Sequence, residues 1–139
     1  MHPPIGDQHA LGHRDPVLLD FVARQARSCQ AVLSVCTGAF VLHAAGLLAG
    51  KRATTHWAQL DRLRALGDVQ VVEERWTRDG QVWTSAGVSA GFDLMLQLIA
   101  DVAGAQVAGQ VQLAAEYYAS AQRFGDGALH PQAPAYLRG

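Results

Sequence analysis

The sequence predicts an α/β layered fold built on a mostly parallel sheet. Three features carry that expectation. Val17, Leu18, Phe21, Val22 and Ala26 recur at helical spacing. A short apolar run, Ala31-Val32-Leu33-Ser34-Val35, then has the composition of a strand buried on both faces. At Cys36-Thr37-Gly38 the pattern switches to a helix of small residues. Helix, buried strand, turn, helix, strand, helix is the alternation of layered α/β domains.

Taken in order, residues 1–14 lack periodicity and read as an irregular leader, with a single domain from 15 to 139. Asp15-Pro16 has the chemistry of an N-cap followed by proline at the first helical position. Arg24 and Arg27 fall late in that helix, where cations suit its dipole, and Cys29 is expected on its last turn. The second helix, Ala39 to Ala45, should stop at Gly46 or Gly50. Arg52–Thr55 reads as a short strand, Trp57–Ala65 as a helix stopped by Gly67, and Val69–Val72 as a strand. Glu74–Thr77 and Gln81–Thr84 form a hairpin around Arg78-Asp79-Gly80. Two apolar helices follow, about Ala90–Val102 with Ser89 as its cap, and about Ala105–Tyr117. From about residue 118 the chain reads as an irregular tail. Only two or three parallel strands emerge, fewer than a doubly wound sheet needs.

Composition narrows the function classes. The 139 residues are 50% hydrophobic and 17% charged, enough apolar surface for a core. Eleven basic against 12 acidic side chains give a formal charge of −1. No basic stripe stands ready to displace phosphate counterions, so no nucleic-acid partner is expected. No apolar run approaches a membrane span, and the N-terminus lacks the pattern of a signal peptide; a cytoplasmic location follows as the expectation. Cys29 and Cys36, with no CxxC and no paired histidines, suggest neither a disulfide framework nor a metal site.

The chemistry centres on Cys36. Ser34-Val35-Cys36-Thr37-Gly38 has the small-x-nucleophile-x-Gly spacing of a nucleophile elbow. A turn sharp enough to lift the thiol above the sheet needs small residues two before and two after it. The following helix then offers unpaired N–H groups and a positive partial charge, conditions that favour a thiolate and hold a developing anion. A buried cysteine ending a strand would show the same residues without the chemistry. His56, at the end of the next strand, is placed to orient or activate the thiol, although a histidine beside a tryptophan also fits simple packing. Thr37 offers a hydroxyl or a helix cap. Ser85-Ala86-Gly87 is a candidate pocket wall or an ordinary loop. Glu116-Tyr117-Tyr118 reads as packing at a helix end, and Trp57, Trp76 and Trp83 as core or pocket walls.

Ser-Val-Cys-Thr-Gly-Ala-Phe at 34–40, Ala-Ala-Gly-Leu-Leu-Ala-Gly-Lys-Arg-Ala-Thr-Thr-His-Trp at 44–57 and Val-Trp-Thr-Ser-Ala-Gly-Val-Ser-Ala-Gly-Phe-Asp at 82–93 resemble the ThiJ/PfpI superfamily. The Cys-Thr pair and the Ala-Thr-Thr-His-Trp string point to its isocyanide hydratase-like branch. The resemblance implies a flavodoxin-like three-layer sandwich, the fold of class I glutamine amidotransferases. It implies a cofactor-free, metal-free enzyme with Cys36 as nucleophile, Thr37 and His56 as supporting groups, and Gly38, Trp57, Ser85, Ala86 and Gly87 lining a small-molecule pocket. It also implies a homodimer. Two departures stand out. Thr37 replaces the histidine that PfpI-like branches often carry beside the cysteine, which argues against a Cys-His protease. The family's first strands, an acidic residue near the cysteine and a Gly-Gly turn lie ahead of the matched region, with Pro3-Pro4-Ile5-Gly6 where the glycines belong. The chain thus reads as the later part of such a domain. Two further readings share these residues: a ligand-sensing domain like those of transcription regulators, and an inactive copy. Residues 117–139 are too short for a DNA-binding module.

Overall fold

The structure, a computed structural model, describes residues 14–139; the expected leader, with Pro3-Pro4-Ile5-Gly6, lies outside the described residues apart from Arg14. The first helix, α1 (Pro16–Ala26), opens as expected. The Asp15 carboxylate accepts the Val17 N–H at 2.9 Å, and Pro16 stands in the first turn. It ends at Ala26, so Cys29 falls beyond the helix, not on it. The Gln81 side chain donates to the carbonyls of Ala26 and Cys29 there, satisfying the helix end.

Strand β1 (Val32–Val35) is followed by α2 (Gly38–Ala44). The helix ends two residues before Gly46, which adopts φ +82°. Gly46 N–H donates to His43 O and Leu47 N–H to Leu42 O, both at 2.9 Å. That pair of bonds satisfies two terminal carbonyls and needs a left-handed residue at position 46, hence glycine. Strand β2 is shorter than expected, Arg52–Ala53. Thr54 leaves the ladder because its N–H donates to the Thr84 hydroxyl at 2.9 Å. A 3-10 turn, Trp57–Gln59, runs into α3 (Leu60–Ala65), and β3 (Gln70–Val71) pairs in parallel with β2.

The hairpin of β4 (Trp76–Asp79) and β5 (Val82–Ser85) forms one step later than the sequence suggests. Asp79 stays in the strand opposite Val82, so the connection is Gly80-Gln81. Its carboxylate accepts the Arg52 N–H at 2.9 Å, a link to β2 that local turn chemistry does not reveal. The main sheet has the order β1-β5-β4, with β1 and β5 parallel from Val32↔Val82 to Val35↔Ser85. Helix α4 (Val88–Ala103) starts from Gly87, so Ser89 lies inside the first turn and is not its cap. Helix α5 (Ala105–Ala114) stops short of Tyr117, and Glu116 takes φ +48° and reverses the chain. The tail is not wholly irregular: a 3-10 turn at Gly127–Leu129 and a short α6 (Ala135–Arg138) follow.

Alternation along β1 separates two faces. Val32 joins Ala39, Leu42, Leu48, Ala53 and Val82 in the core beneath α1 and α2. Val35 points to the opposite face, under α4. Helix α4 approaches so closely that a Cβ on Gly91 would lie 2.9 Å from Val35 Cγ1 and 3.1 Å from Cγ2. A β-branched side chain on a strand cannot rotate clear of both contacts. Gly91→Ala is therefore expected to destabilise the domain by about 1–3 kcal/mol in chemical denaturation. Combining it with Val35→Ala should restore part of that loss, and simple additivity of the two changes would exclude the close approach as the cause.

Candidate active site

The elbow forms where β1 meets α2. Cys36 sits at φ +58°, a left-handed conformation uncommon for any residue but glycine. Its N–H is shared between Ala86 O at 2.8 Å and Ser85 O at 3.2 Å, and its carbonyl accepts the Thr55 hydroxyl at 2.9 Å. The spacing has a direct steric basis, since a Cβ on Gly38 would stand 3.5 Å from the buried Ser34 Cβ. The strained turn is over-determined by buried partners on both sides. The Cys36 side chain is partly exposed at the end of the sheet.

Thr37 precedes α2 without a side-chain capping bond, so its hydroxyl is not spent on the helix terminus. His56 is brought to the same end of the sheet. A Cβ on Gly87 would lie 3.5 Å from its ring Cδ2, and Gly87 follows the residue whose carbonyl holds the Cys36 N–H. The Ala58 N–H donates to His56 Nδ1 at 3.1 Å. With Nδ1 accepting, the neutral ring carries its proton on Nε2. His56 thus presents an N–H donor, while the nitrogen with a free lone pair is committed to the backbone.

The remaining candidates divide. Ser85 and Ala86 are almost completely buried. The Ser85 hydroxyl donates to Ser34 O at 3.1 Å, so these two residues brace the elbow instead of presenting side chains to a ligand. Trp57 turns toward the C-terminal segment, its ring 4.8 Å from that of His130 and nearly perpendicular to it. Thr55, which sequence reasoning left without a role, is the group that fixes the Cys36 carbonyl. Its one sequence signal is position, immediately before His56 in the quoted string.

A polar cluster beside the site was also missed. The Arg75 carbonyl accepts the Ala86 N–H at 2.8 Å, and its guanidinium meets Asp93 Oδ2 on α4 at 2.7 and 2.9 Å. Tyr117 donates to Asp93 Oδ1 at 3.0 Å. Burial, the hydrogen bond to Asp93 and that carboxylate's charge push the Tyr117 hydroxyl above its ordinary value, against the pull of Arg75. Burial likewise raises Tyr136, with Arg75 opposing it. For Arg75 burial works against the cation, and the Asp93 contact outweighs it. Among the described residues no group of three or more His, Cys, Asp or Glu gathers as metal ligands do, and no helix is long and apolar enough to cross a membrane.

The sequence matches the model of the DJ-1/PfpI family over residues 6–101. The chain belongs to that family. Isonitrile hydratase of Pseudomonas putida is 50% identical over 103 residues, 74% of this chain and 45% of the relative. A helix-turn-helix transcriptional regulator of Pseudomonas aeruginosa, CdhR, is 40% identical over 97 residues, 69% of this chain and 29% of the regulator. The crystal structure of a ThiJ/PfpI protein from Pseudomonas syringae superposes with a TM-score of 0.77 at 34% identity, covering 94% of this chain and 52% of that one. Drosophila melanogaster DJ-1β shares the fold, with a TM-score of 0.69 at 17% identity. The chain spans about half the length of the isonitrile hydratase and of the Pseudomonas syringae protein, and less of the regulator.

Two outcomes follow from the geometry. Cys36→Gly should be more stable than Cys36→Ala by about 1 kcal/mol, the reverse of the usual order, because only alanine pays for the positive φ. Equal stabilities in a urea titration would remove the backbone strain. Tyr117→Phe should cost about 1 kcal/mol at neutral pH through the lost bond to Asp93. A phenol whose folded value is raised stabilises the fold below its unfolded value near 10, and that contribution disappears as pH rises through the folded value. The wild-type advantage over Tyr117→Phe should therefore shrink above about pH 10, and a constant difference would contradict it.

Proposed function

We propose that the chain carries the nucleophile-bearing part of a cofactor-free lyase that hydrates a small isonitrile to an N-substituted formamide. The observation that carries the reading is the strained elbow at Cys36 in a chain 50% identical to isonitrile hydratase over 103 residues. The Cys36 thiolate attacks the terminal isonitrile carbon, which takes up a proton to give a thioimidate. Water adds to that carbon, the C–S bond breaks, and the formamide leaves with the thiol restored. The balance is one isonitrile plus one water for one formamide, with no redox change. Thr37 and the N–H of His56 are the groups available to hold the polar end of the adduct; a ring whose Nδ1 is already accepting acts as donor, not as base. Self-association and a cytoplasmic location belong to the same proposal through the family likeness.

A second reading, a ligand-sensing domain that captures an electrophile without turnover, is favoured by the likeness to the CdhR regulator. One assay separates the two. Formamide release from a simple alkyl isonitrile should require Cys36 and vanish in Cys36→Ala, while Cys29→Ala stays at the wild-type rate. His56→Gln, which keeps an N–H near the Nε2 position, should retain more activity than His56→Ala, which loses roughly 10–100-fold. An adduct on Cys36 seen by mass spectrometry without formamide would favour the sensor. Turnover surviving in Cys36→Ala would overturn both.

A further inference from the structure

The two principal groups of the site come from strands that share no ladder. Cys36 continues β1, in the sheet β1-β5-β4, while His56 follows β2, which pairs with β3. Side-chain bonds bridge the gap. The Thr54 N–H donates to the Thr84 hydroxyl on β5 at 2.9 Å, and one residue later the Thr55 hydroxyl donates to the Cys36 carbonyl, also at 2.9 Å. Both threonines are buried, at 0% and 1% exposure. The Thr54 hydroxyl has no partner among the described residues. Of two adjacent buried hydroxyls, only that of Thr55 is used.

The Thr55 bond has a directional consequence. In a trans peptide the C=O and N–H point opposite ways, so holding the Cys36 carbonyl toward Thr55 aims the Thr37 N–H away from it. That N–H meets no acceptor among the described residues. At a nucleophile elbow the N–H after the nucleophile is a donor to charge developing at the reacting atoms. The aim needs holding, because at φ +58° a cysteine gains by rotating back to negative φ. The Cys36 N–H is fixed by Ala86 O at 2.8 Å. Its carbonyl is secured, among the described residues, by Thr55 alone.

We infer that Thr55 is a positioning residue: its hydroxyl locks the Cys36–Thr37 peptide plane, and with it the thiol and the Thr37 N–H, in the orientation that the chemistry at Cys36 uses. His56 is its immediate neighbour, so one hydrogen bond sets the nucleophile and the imidazole donor together. Only the turnover readout below rests on the function proposed above.

The test uses the full chain with Cys29→Ala as the parent, so that a single thiol reports. Thr55→Val removes the hydroxyl and keeps the shape, Thr55→Ser keeps the hydroxyl, and Thr54→Val removes the neighbouring hydroxyl that bonds to nothing. Thr55→Val should slow alkylation of Cys36 by iodoacetamide roughly tenfold at neutral pH, with the plateau rate at alkaline pH unchanged. With a simple alkyl isonitrile, kcat should fall roughly 10–100-fold and KM stay within about twofold. Thr55→Ser and Thr54→Val should follow the parent in both assays. A hydroxyl that merely held the fold together would act the other way, since loosening exposes the thiol and speeds alkylation. Three results overturn the inference: Thr55→Val alkylated as fast as the parent or faster, no rescue by Thr55→Ser, or an equal loss in Thr54→Val. Should Thr55→Val not fold, the wild-type chain decides. A Thr55 hydroxyl proton held by Cys36 O should exchange slowly enough to be seen by NMR, and its absence overturns the inference. Alkylation needs no isonitrile, so a parent that hydrates none overturns the proposed function and leaves this test standing.

Discussion

The pairing of β1 with β5 is the contact on which the rest of the molecule depends. All four residues of β5 are buried, and the strand is bonded on both sides, in parallel to β1 and antiparallel to β4. Both candidate-site loops leave from its end or its neighbour's. The elbow continues β1, and the Ser85-Ala86-Gly87 segment continues β5. A register shift of one residue would turn Val32 out of the core and separate the Cys36 N–H from the Ala86 carbonyl. Core packing and site geometry are therefore one constraint.

Rigidity at the site comes from backbone and hydroxyl groups with almost no exposure. Thr54, Thr55, Thr84 and Ser85 are all essentially buried, and their hydrogen bonds tie β2, β5 and the elbow together. The hydroxyls of Thr55, Thr84 and Ser85 are paired, whereas those of Thr54 and Ser34 are buried without a hydrogen-bond partner among the described residues. Short polar side chains do here what large apolar ones do elsewhere in the core, and they do it with direction. The result is a cysteine held in an unfavourable backbone conformation by neighbours whose hydroxyls bond to backbone groups.

Local chemistry made much of this legible in the sequence. Asp15-Pro16, the apolar run of β1, the small-x-Cys-x-Gly spacing and Gly46 each have one sufficient physical cause close by in the chain. What stayed hidden depends on distant partners. Asp79 looks like a turn residue until Arg52 claims its carboxylate, and that shift moves the hairpin by one residue. Ser89 looks like a cap, yet Gly87 starts the helix. Tyr117 looks like the end of α5, but its hydroxyl belongs to Asp93, 24 residues earlier. Thr55 carries no signal beyond its place before His56 until the elbow folds against it.

The C-terminal segment is tied to the body of the domain across a long stretch of chain. Pro134 and Ala133 are buried, and the Ala135 N–H reaches the Glu73 carboxylate across 62 residues of chain at 3.0 Å. Closing a loop of this length costs conformational entropy that the contacts at its end must offset. The edge-on contact of Trp57 with His130 lies within that seam. Trp57, one residue from His56, is thus a built-in optical gauge of whether the last segment has seated, in a protein whose other two tryptophans are stacked together on the hairpin.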